Sequence, residues 1–248
     1  MSVFAIIPAR YDSSRFPGKP LEKIGEKEMV LHVCDRVSLC KSLVGFAVAT
    51  DDSRIFDCVK NAGFEAFMTR KDHETGTDRL VEVASHLEHE YILNVQGDEP
   101  FLEPKVIDSF VESYLKNGSH CEVGTMSNRL ENKEDAINPN VVKVIVDKNQ
   151  QAIYFSRSLI PYPRDGFDGA NSLYFRHIGV YLYQRDYLLN FPNLSVSYLE
   201  QTEKLEQLRV MENGGKIFVQ EVNEASFGID TPQDLKKAQE IYKNLSLL

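Results

Sequence analysis

The feature that most constrains this chain is a repeated alternation over its first 117 residues. Apolar runs at 3–8 (VFAIIP), 44–50 (VGFAVAT), 64–68 and 91–96 (YILNVQ) are strand-length. The first is apolar at consecutive positions, as a strand covered on both faces must be. Between these runs, segments at 28–40, 52–62, 77–88 and 104–117 read as helices. The first carries Met29, Val33 and Val37 on one face, and the last carries Val106, Phe110, Val111 and Tyr114. Parallel strands need long crossovers rather than tight turns, so this rhythm predicts an α/β fold with a mostly parallel sheet and helices on its faces.

The second half is richer in strands. Segments 122–128, 141–147, 151–155, 174–183 and 216–221 have strand character, and Val142 to Val146 alternates around Lys143. The polar stretch 162–173, with Pro163, Gly166 and Gly169, predicts a mobile loop. A helix near 232–246 closes the chain, with Thr231 as N-cap and Pro232 at the first helical position. No internal repeat, low-complexity tract or linker interrupts the 248 residues, which predicts one α/β domain with an inserted β-rich lobe.

Charge narrows the function. The net charge of -9 argues against a general nucleic-acid binder. Yet the loop after the first strand, residues 9–20, carries Arg10, Arg15 and Lys19. In open α/β sheets ligands bind outside the carboxyl ends of the strands, where this loop starts. Gly18 lets backbone approach a ligand closely, so the loop suits a small phosphate-bearing anion better than a purely solvated role. It is not a Walker A loop, because Lys19 is followed by Pro20 and no glycine stands five positions before Gly18. Cys34, Cys40, Cys58 and Cys121 show neither metal-ligand nor disulfide spacing. No leader-like or membrane-length apolar stretch is present, and a cytoplasmic location is expected.

Two acids could complete such a site. Asp98 follows the strand 91–96, though Gly97-Asp98-Glu99-Pro100 is also good turn composition. Asp230 precedes the closing helix, where capping is the simpler role. Two carboxylates converging on a phosphate cradle would make a Mg²⁺ site and would point to phosphoryl or nucleotidyl transfer.

A longer set of segments resembles a known family. The segments are Ile7-Pro8-Ala9-Arg10, Ser13 to Leu21 (SSRFPGKPL), Ala49-Thr50-Asp51 and Thr75 to Arg79 (TGTDR). They continue with Asn94 to Pro100 (NVQGDEP), Tyr154 to Arg157 (YFSR), Arg176 to Tyr181 (RHIGVY), Leu205 to Arg209 (LEQLR) and Asp230-Thr231-Pro232. In order, from residue 3 to about 240, they resemble 3-deoxy-manno-octulosonate cytidylyltransferase, or CMP-Kdo synthetase. The first loop alone would indicate only a nucleotidyltransferase. VQGDEP, YFSR, RHIGVY and LEQLR are far more specific.

The resemblance implies a Rossmann-like nucleotidyltransferase fold with a mixed, mostly parallel sheet and an inserted β-rich dimerisation lobe. Its nucleotide-binding half would span about 1–120, and its sugar-binding and dimerisation half about 121–248. It implies a homodimer that uses Mg²⁺ to turn CTP and Kdo into CMP-Kdo and diphosphate for lipopolysaccharide assembly. Arg10, Arg15 and Lys19 would hold the triphosphate, with Pro8, Ala9, Ser14 and Gly97 beside it. Thr75, Gly76 and Gln96 would lie near the cytidine, Gln96 reaching the sugar as well. Asp98 and Asp230 would bind the metal. Arg157, His177, Tyr181, Glu206 and Gln207 would line the sugar-acid pocket. From the residues alone, His177 and Tyr181 read as core and Glu206 and Gln207 as solvated helix positions. The 8-amino form of Kdo and other acidic sugars are the alternative acceptors, and a catalytically dead nucleotide-sugar binder is the alternative of another class.

Overall fold

The computed structural model describes residues 1–12, 16–73, 75–166, 174–223 and 228–245. Ser14 and Arg15 of the basic loop, and residues 167–173 of the expected mobile loop, lie outside them. In chain order the elements begin with β1 (Val3–Pro8), a small hairpin of β2 (Lys23–Ile24) and β3 (Lys27–Glu28), α1 (Met29–Ser38) and β4 (Gly45–Thr50). Next come α2 (Ser53–Asn61), β5 (Ala66–Met68), α3 (Gly76–Ala84), β6 (Tyr91–Asn94) and α4 (Pro104–Ser113). The chain continues with β7 (Val123–Arg129), α5 (Lys133–Ile137), β8 (Lys143–Val146), β9 (Ala152–Ser156) and β10 (Phe175–Gln184). It closes with α6 (Arg185–Asn190), α7 (Tyr198–Glu203), α8 (Gln207–Glu212), β11 (Ile217–Glu221) and α9 (Pro232–Leu245). Two compact units result, Met1–Asp108 with Ser226–Leu248, and Ser109–Ala225. The division falls inside α4, and α9 belongs to the first unit.

In the first unit β1 pairs in parallel with β4 and with β6, and β4 with β5, giving the order β6-β1-β4-β5. Val3, Ala5, Ile6 and Ile7 of β1 are all buried, which is why that run lacks alternation. The helix α1 buries Met29, Val30, Val33, Cys34 and Val37 on its inner face. A second cluster joins Ile24, Met29, Ile229, Leu235 and Ala238, so the closing helix packs against the hairpin and α1. Its start is capped as the sequence predicts. Asp234 N donates to Thr231 Oγ1 (3.2 Å), Thr231 N donates to Asp234 Oδ2 (3.0 Å), and Pro232 stands first in the helix.

A buried cation fastens α3. The Arg79 side chain is fully buried; its Nη2 donates to Asp51 Oδ2 (2.7 Å) and its Nη1 to the Thr69 hydroxyl. Asp51 and Thr69 follow β4 and β5 directly, so this one guanidinium ties the helix to the ends of two strands.

The second unit holds β11 parallel to β7, then β7, β10, β8 and β9 in successive antiparallel pairs. The β10 register steps from Ile178↔Met126 to Tyr181↔Thr125, leaving Gly179 and Val180 as a bulge. All five strands expected here are present, with no end displaced by more than two residues. The helix expected over 104–117 instead ends at Ser113 and widens into a π turn at Tyr114–Gly118. There Tyr114 is fully buried, its hydroxyl donating to the Cys121 carbonyl (2.6 Å). Helices α5 to α8 are five or six residues each, too short to show a 3.6-residue period. Among the described residues no helix is long and apolar enough to cross a membrane.

The ion pair in the first unit sets a test. Asp51→Ala leaves the Arg79 guanidinium buried without its acid, and breaking such a pair costs about 3 kcal/mol. Urea unfolding should show a lower midpoint with an unchanged slope, while an exposed control such as Asp72→Ala should unfold like the parent.

Candidate active site

A cleft of about 560 Å³ opens in the first unit, lined by Pro8, Ala9, Arg10, Asp12, Lys19, Pro20, Gly76, Gln96, Gly97, Asp98 and Asp230. Nine of these eleven are residues the sequence singled out; Asp12 and Pro20 are additions. Three chain segments meet there on one nitrogen. Lys19 Nζ donates to Asp98 Oδ2 (2.6 Å), to the Ile229 carbonyl (2.8 Å) and to Asp230 Oδ1 (3.4 Å). The two acids therefore converge on a single cation position, now held by the lysine ammonium. Ile229 N donates to the Asp98 carbonyl (3.0 Å), so the two acid-bearing segments are also joined by backbone.

The local backbone explains the placement. Gly97 lies so close to β1 that a Cβ on it would stand 2.8 Å from the Pro8 carbonyl oxygen. Any side chain would push the Asp98 turn away from the cleft. Gly18 has φ 75°, a left-handed conformation that turns the loop so that Lys19 enters a short 3₁₀ turn, Lys19–Leu21. The loop is braced at both ends. Gly18 N donates to the Tyr11 carbonyl (2.8 Å), and the Arg54 guanidinium stacks 3.4 Å from the Tyr11 ring centre. Arg54 is in turn gripped by Asp52 through Nε (2.9 Å) and Nη2 (2.6 Å). Tyr11, Asp52 and Arg54 left no sign in the sequence, because their roles depend on β1 and α2 becoming neighbours.

Arg10 is exposed, lines the cleft and has no acidic partner among the described residues, so its charge is available to an anion. Gly76 opens α3, and Thr75 caps it: the Thr75 hydroxyl accepts from Asp78 N (3.1 Å) while Thr75 N donates to Asp78 Oδ2 (3.0 Å). The start of α3 thus presents backbone N–H groups beside the cleft. Among the described residues no group of three or more His, Cys, Asp or Glu side chains could hold a metal. A pair of carboxylates alone suits Mg²⁺, which takes one or two protein carboxylates and completes its shell with water and substrate phosphate. The Asp98–Asp230 pair, already gathered around one ammonium, fits that ion.

The remaining candidates lie in the second unit. His177 and Tyr181 of β10 face the same side with ring centres 5.4 Å apart, and Phe155 meets His177 edge-on at 5.0 Å. Burial pushes the Tyr181 hydroxyl well above its usual range, with the nearby Tyr183 and Glu206 adding to the effect. Glu206 therefore belongs to this cluster. Gln207 begins α8 with its Nε2 buried and without a hydrogen-bond partner among the described residues, a donor awaiting an acceptor. Arg157 differs from an open guanidinium fork: its Nε donates to the Glu203 carbonyl (2.7 Å) and its Nη1 to the Pro139 carbonyl (3.1 Å). Glu203 also accepts from Arg157 N (2.9 Å) and from Ser156 Oγ (2.5 Å). Lys143, fully buried, donates to the carbonyls of Asn138 (2.9 Å), Val141 (2.7 Å) and Arg157 (2.6 Å). It was legible in the sequence only as a charge set in a valine run.

Burial also pushes the His177 imidazole down to about 3, with the neighbouring Arg176 adding to the shift. An imidazole depressed on folding from 6.5 to about 3 binds fewer protons in the native than in the unfolded state. Its contribution to stability is therefore full above pH 6.5 and is lost progressively as pH falls toward about 3. Urea unfolding at pH 7 and pH 5 should show a loss of about 2 kcal/mol at the lower pH that His177→Asn does not share.

A family model described as Cytidylyltransferase matches residues 4–217. A 3-deoxy-manno-octulosonate cytidylyltransferase of Trichlorobacter lovleyi is 48% identical over 252 aligned residues, covering 98% of this chain and 99% of its own. The protein of that name in Geobacter sulfurreducens is 45% identical, covering 98% and 100%. A solved structure of CMP:2-keto-3-deoxy-manno-octonic acid synthetase complexed with CTP superposes with a TM-score of 0.93 at 41% identity, over 99% of this chain and 100% of that one. A 4-diphosphocytidyl-2C-methyl-D-erythritol synthase from Anaerococcus prevotii shares the fold at a TM-score of 0.64 and 14% identity, over 98% of this chain and 96% of that one. The nucleotidyltransferase fold and the ordered set of motifs agree, and this chain belongs to the 3-deoxy-manno-octulosonate cytidylyltransferase family.

Proposed function

We propose that this chain transfers CMP from CTP to the anomeric hydroxyl of Kdo, releasing diphosphate, in a Mg²⁺-dependent reaction that activates the sugar for lipopolysaccharide assembly. The observation that carries this reading is the meeting of Lys19, Asp98 and Asp230 at one point of a cleft that also contains Arg10. The names of the similar relatives support it, as does the CTP complexed with one of them.

In the reaction the anomeric oxygen forms a bond to the α-phosphorus as the bond to the bridging oxygen of the diphosphate breaks, and the hydroxyl proton passes to solvent. Arg10 and Lys19, with Arg15 and Ser14, grip the triphosphate and stabilise charge growing on the leaving group. Pro8, Ala9 and Gly97 bring backbone beside the phosphates, and Thr75, Gly76 and Gln96 take the cytidine. Asp98 and Asp230 would hold Mg²⁺, which would supply Lewis-acid activation of the sugar hydroxyl. Arg157, His177, Tyr181, Glu206 and Gln207 read the sugar acid, with Gln96 contributing. His177 is neutral there and serves as a hydrogen-bonding group rather than as an acid. Gln207 supplies a buried donor that no described residue satisfies. We further propose a homodimer assembled through the second unit, supported by the exposure of Ile137 (53%) and Ile153 (56%).

Diphosphate release from CTP and Mg²⁺, measured with Kdo, with its 8-amino form and with other sugar acids, tests the reading. Release with Kdo is expected, and release with none of these acceptors would overturn it. Lys19→Ala should lower kcat by about 10²-fold, the size of losing one oxyanion donor. Asp98→Asn should abolish binding of Mn²⁺, used as a paramagnetic stand-in, to the CTP-loaded protein; undiminished binding would remove Asp98 as a ligand. Light scattering should give twice the chain mass.

A further inference from the structure

The strongest unassigned arrangement is at the β10 bulge. Thr125 of β7 is fully buried, and its Oγ1 touches three groups: the Val180 carbonyl (2.8 Å), His177 Nε2 (3.0 Å) and the Ile178 carbonyl (3.1 Å). Gly179 and Val180 are the two residues β10 carries beyond its partner strand. The bulge thereby turns two carbonyls toward one hydroxyl.

Proton counting fixes the rest. A threonine hydroxyl has one proton and two lone pairs, and carbonyl oxygens only accept. If the hydroxyl gave its proton to the imidazole, its lone pairs would face those of both carbonyl oxygens at 2.8 and 3.1 Å with no proton between, a repulsive arrangement. The proton therefore goes to the carbonyls, and the contact with His177 is favourable only if Nε2 is the donor. A neutral imidazole protonated at Nε2 has its lone pair on Nδ1. The ring is neutral near pH 7, since burial holds its pKa far below that. Its orientation is braced by Phe155 and Tyr181, and its backbone N–H is taken by the Val142 carbonyl (2.8 Å). Among the described residues Nδ1 has no hydrogen-bond partner.

From this geometry we propose that Thr125 is a positioning residue that locks His177 as the Nε2–H tautomer, so that Nδ1 accepts a hydrogen bond from a hydroxyl of the sugar acid. The tautomer follows from the protein alone; its use rests on the sugar-acid reading of the second unit. The site then demands a hydrogen donor at that point of the ligand, and an acceptor such as an ether or a carbonyl is rejected there.

The test is nitrogen NMR on the full chain labelled with ¹⁵N-histidine, combined with steady-state kinetics. At pH 7 the His177 spectrum should show a protonated Nε2 and an unprotonated Nδ1. Thr125→Val should disturb that pattern and raise the KM for Kdo about tenfold, the value of one hydrogen bond of about 1.4 kcal/mol, with the KM for CTP within about twofold of the parent. Thr125→Ser, which keeps the hydroxyl, should restore both readouts. A wild-type spectrum of an Nδ1–H tautomer or of an imidazolium overturns the proposal without recourse to any variant. An unchanged Kdo KM in Thr125→Val overturns the role of Thr125, provided that His177→Ala raises it. If His177→Ala also leaves the Kdo KM unchanged, the sugar-acid reading fails, and the proposal falls with it.

Discussion

The meeting of residues 19, 98 and 230 on one lysine nitrogen is the constraint that the first unit is arranged to satisfy. Lys19 is only 13% exposed and its main partner Asp98 26%, so both charges have lost most of their water and depend on each other. Removing one partner of such a pair leaves the other desolvated, which is far more damaging than the pair is stabilising. Each segment that supplies a partner is accordingly held by something else. Gly18 turns the loop into place, Gly97 permits contact with β1, and Ile229 and Leu235 bury the approach to Asp230 in an apolar cluster. The closing helix belongs to the unit that contains the cleft, and Asp230, two residues before its start, lines that cleft.

Around that point lies a support built from buried or stacked cations that face no ligand. Arg79 binds Asp51 and Thr69, and by doing so fixes the start of α3, where Gly76 reaches the cleft. Arg54 lies over Tyr11 and is gripped by Asp52, bracing the basic loop from outside. Two short motifs separated by about twenty residues, Ala49-Thr50-Asp51 and Thr75-Gly76-Thr77-Asp78-Arg79, are the two sides of one ion pair. Lys19 and Arg10 reach the cleft; Arg79 and Arg54 set where it is. Precision of this kind is needed when catalysis is chiefly positioning and electrostatics, as in phosphoryl chemistry.

What could be read from the chain follows from which forces are local. The β1 to α4 order was legible because burial on two faces and a 3.6-residue period are properties of contiguous sequence. The basic loop was legible because three cations in an acidic chain are anomalous in themselves. Asp98 and Asp230 were ambiguous by composition, and only the ammonium between them shows that they converge. The sheet of the second unit was legible, but α5 to α8 were not, since one or two turns of helix carry no periodic signal. Arg157 illustrates the limit best: its motif marks it as a guanidinium near the sugar, yet its position is set by Glu203 and by Lys143, residues that no motif marks. The hidden bulge in RHIGVY is of the same kind, because period-2 reasoning gives the shared face of His177 and Tyr181 but not the carbonyls that crowd Thr125.

The two units differ in the physics they bring to recognition. The first offers charge: the exposed Arg10, the largely buried Lys19 ammonium and a carboxylate pair suited to a cation. Such groups bind any polyphosphate strongly, because Coulombic attraction needs little detail. The second offers neutral groups stripped of water: His177 held uncharged, Tyr181 held protonated, and the Gln207 amide with a buried N–H that lacks an acceptor among the described residues. Groups of this sort contribute little when matched and penalise a mismatch heavily, since a buried donor or acceptor left unpaired forfeits its hydration. On the function proposed above, affinity for the nucleotide and selectivity for the sugar are thus assigned to different parts of the chain. Selectivity must then depend on fixed protonation states, and a buried imidazole can serve it only if something settles which nitrogen carries the proton. A hydroxyl crowded by two carbonyls does that with a single atom.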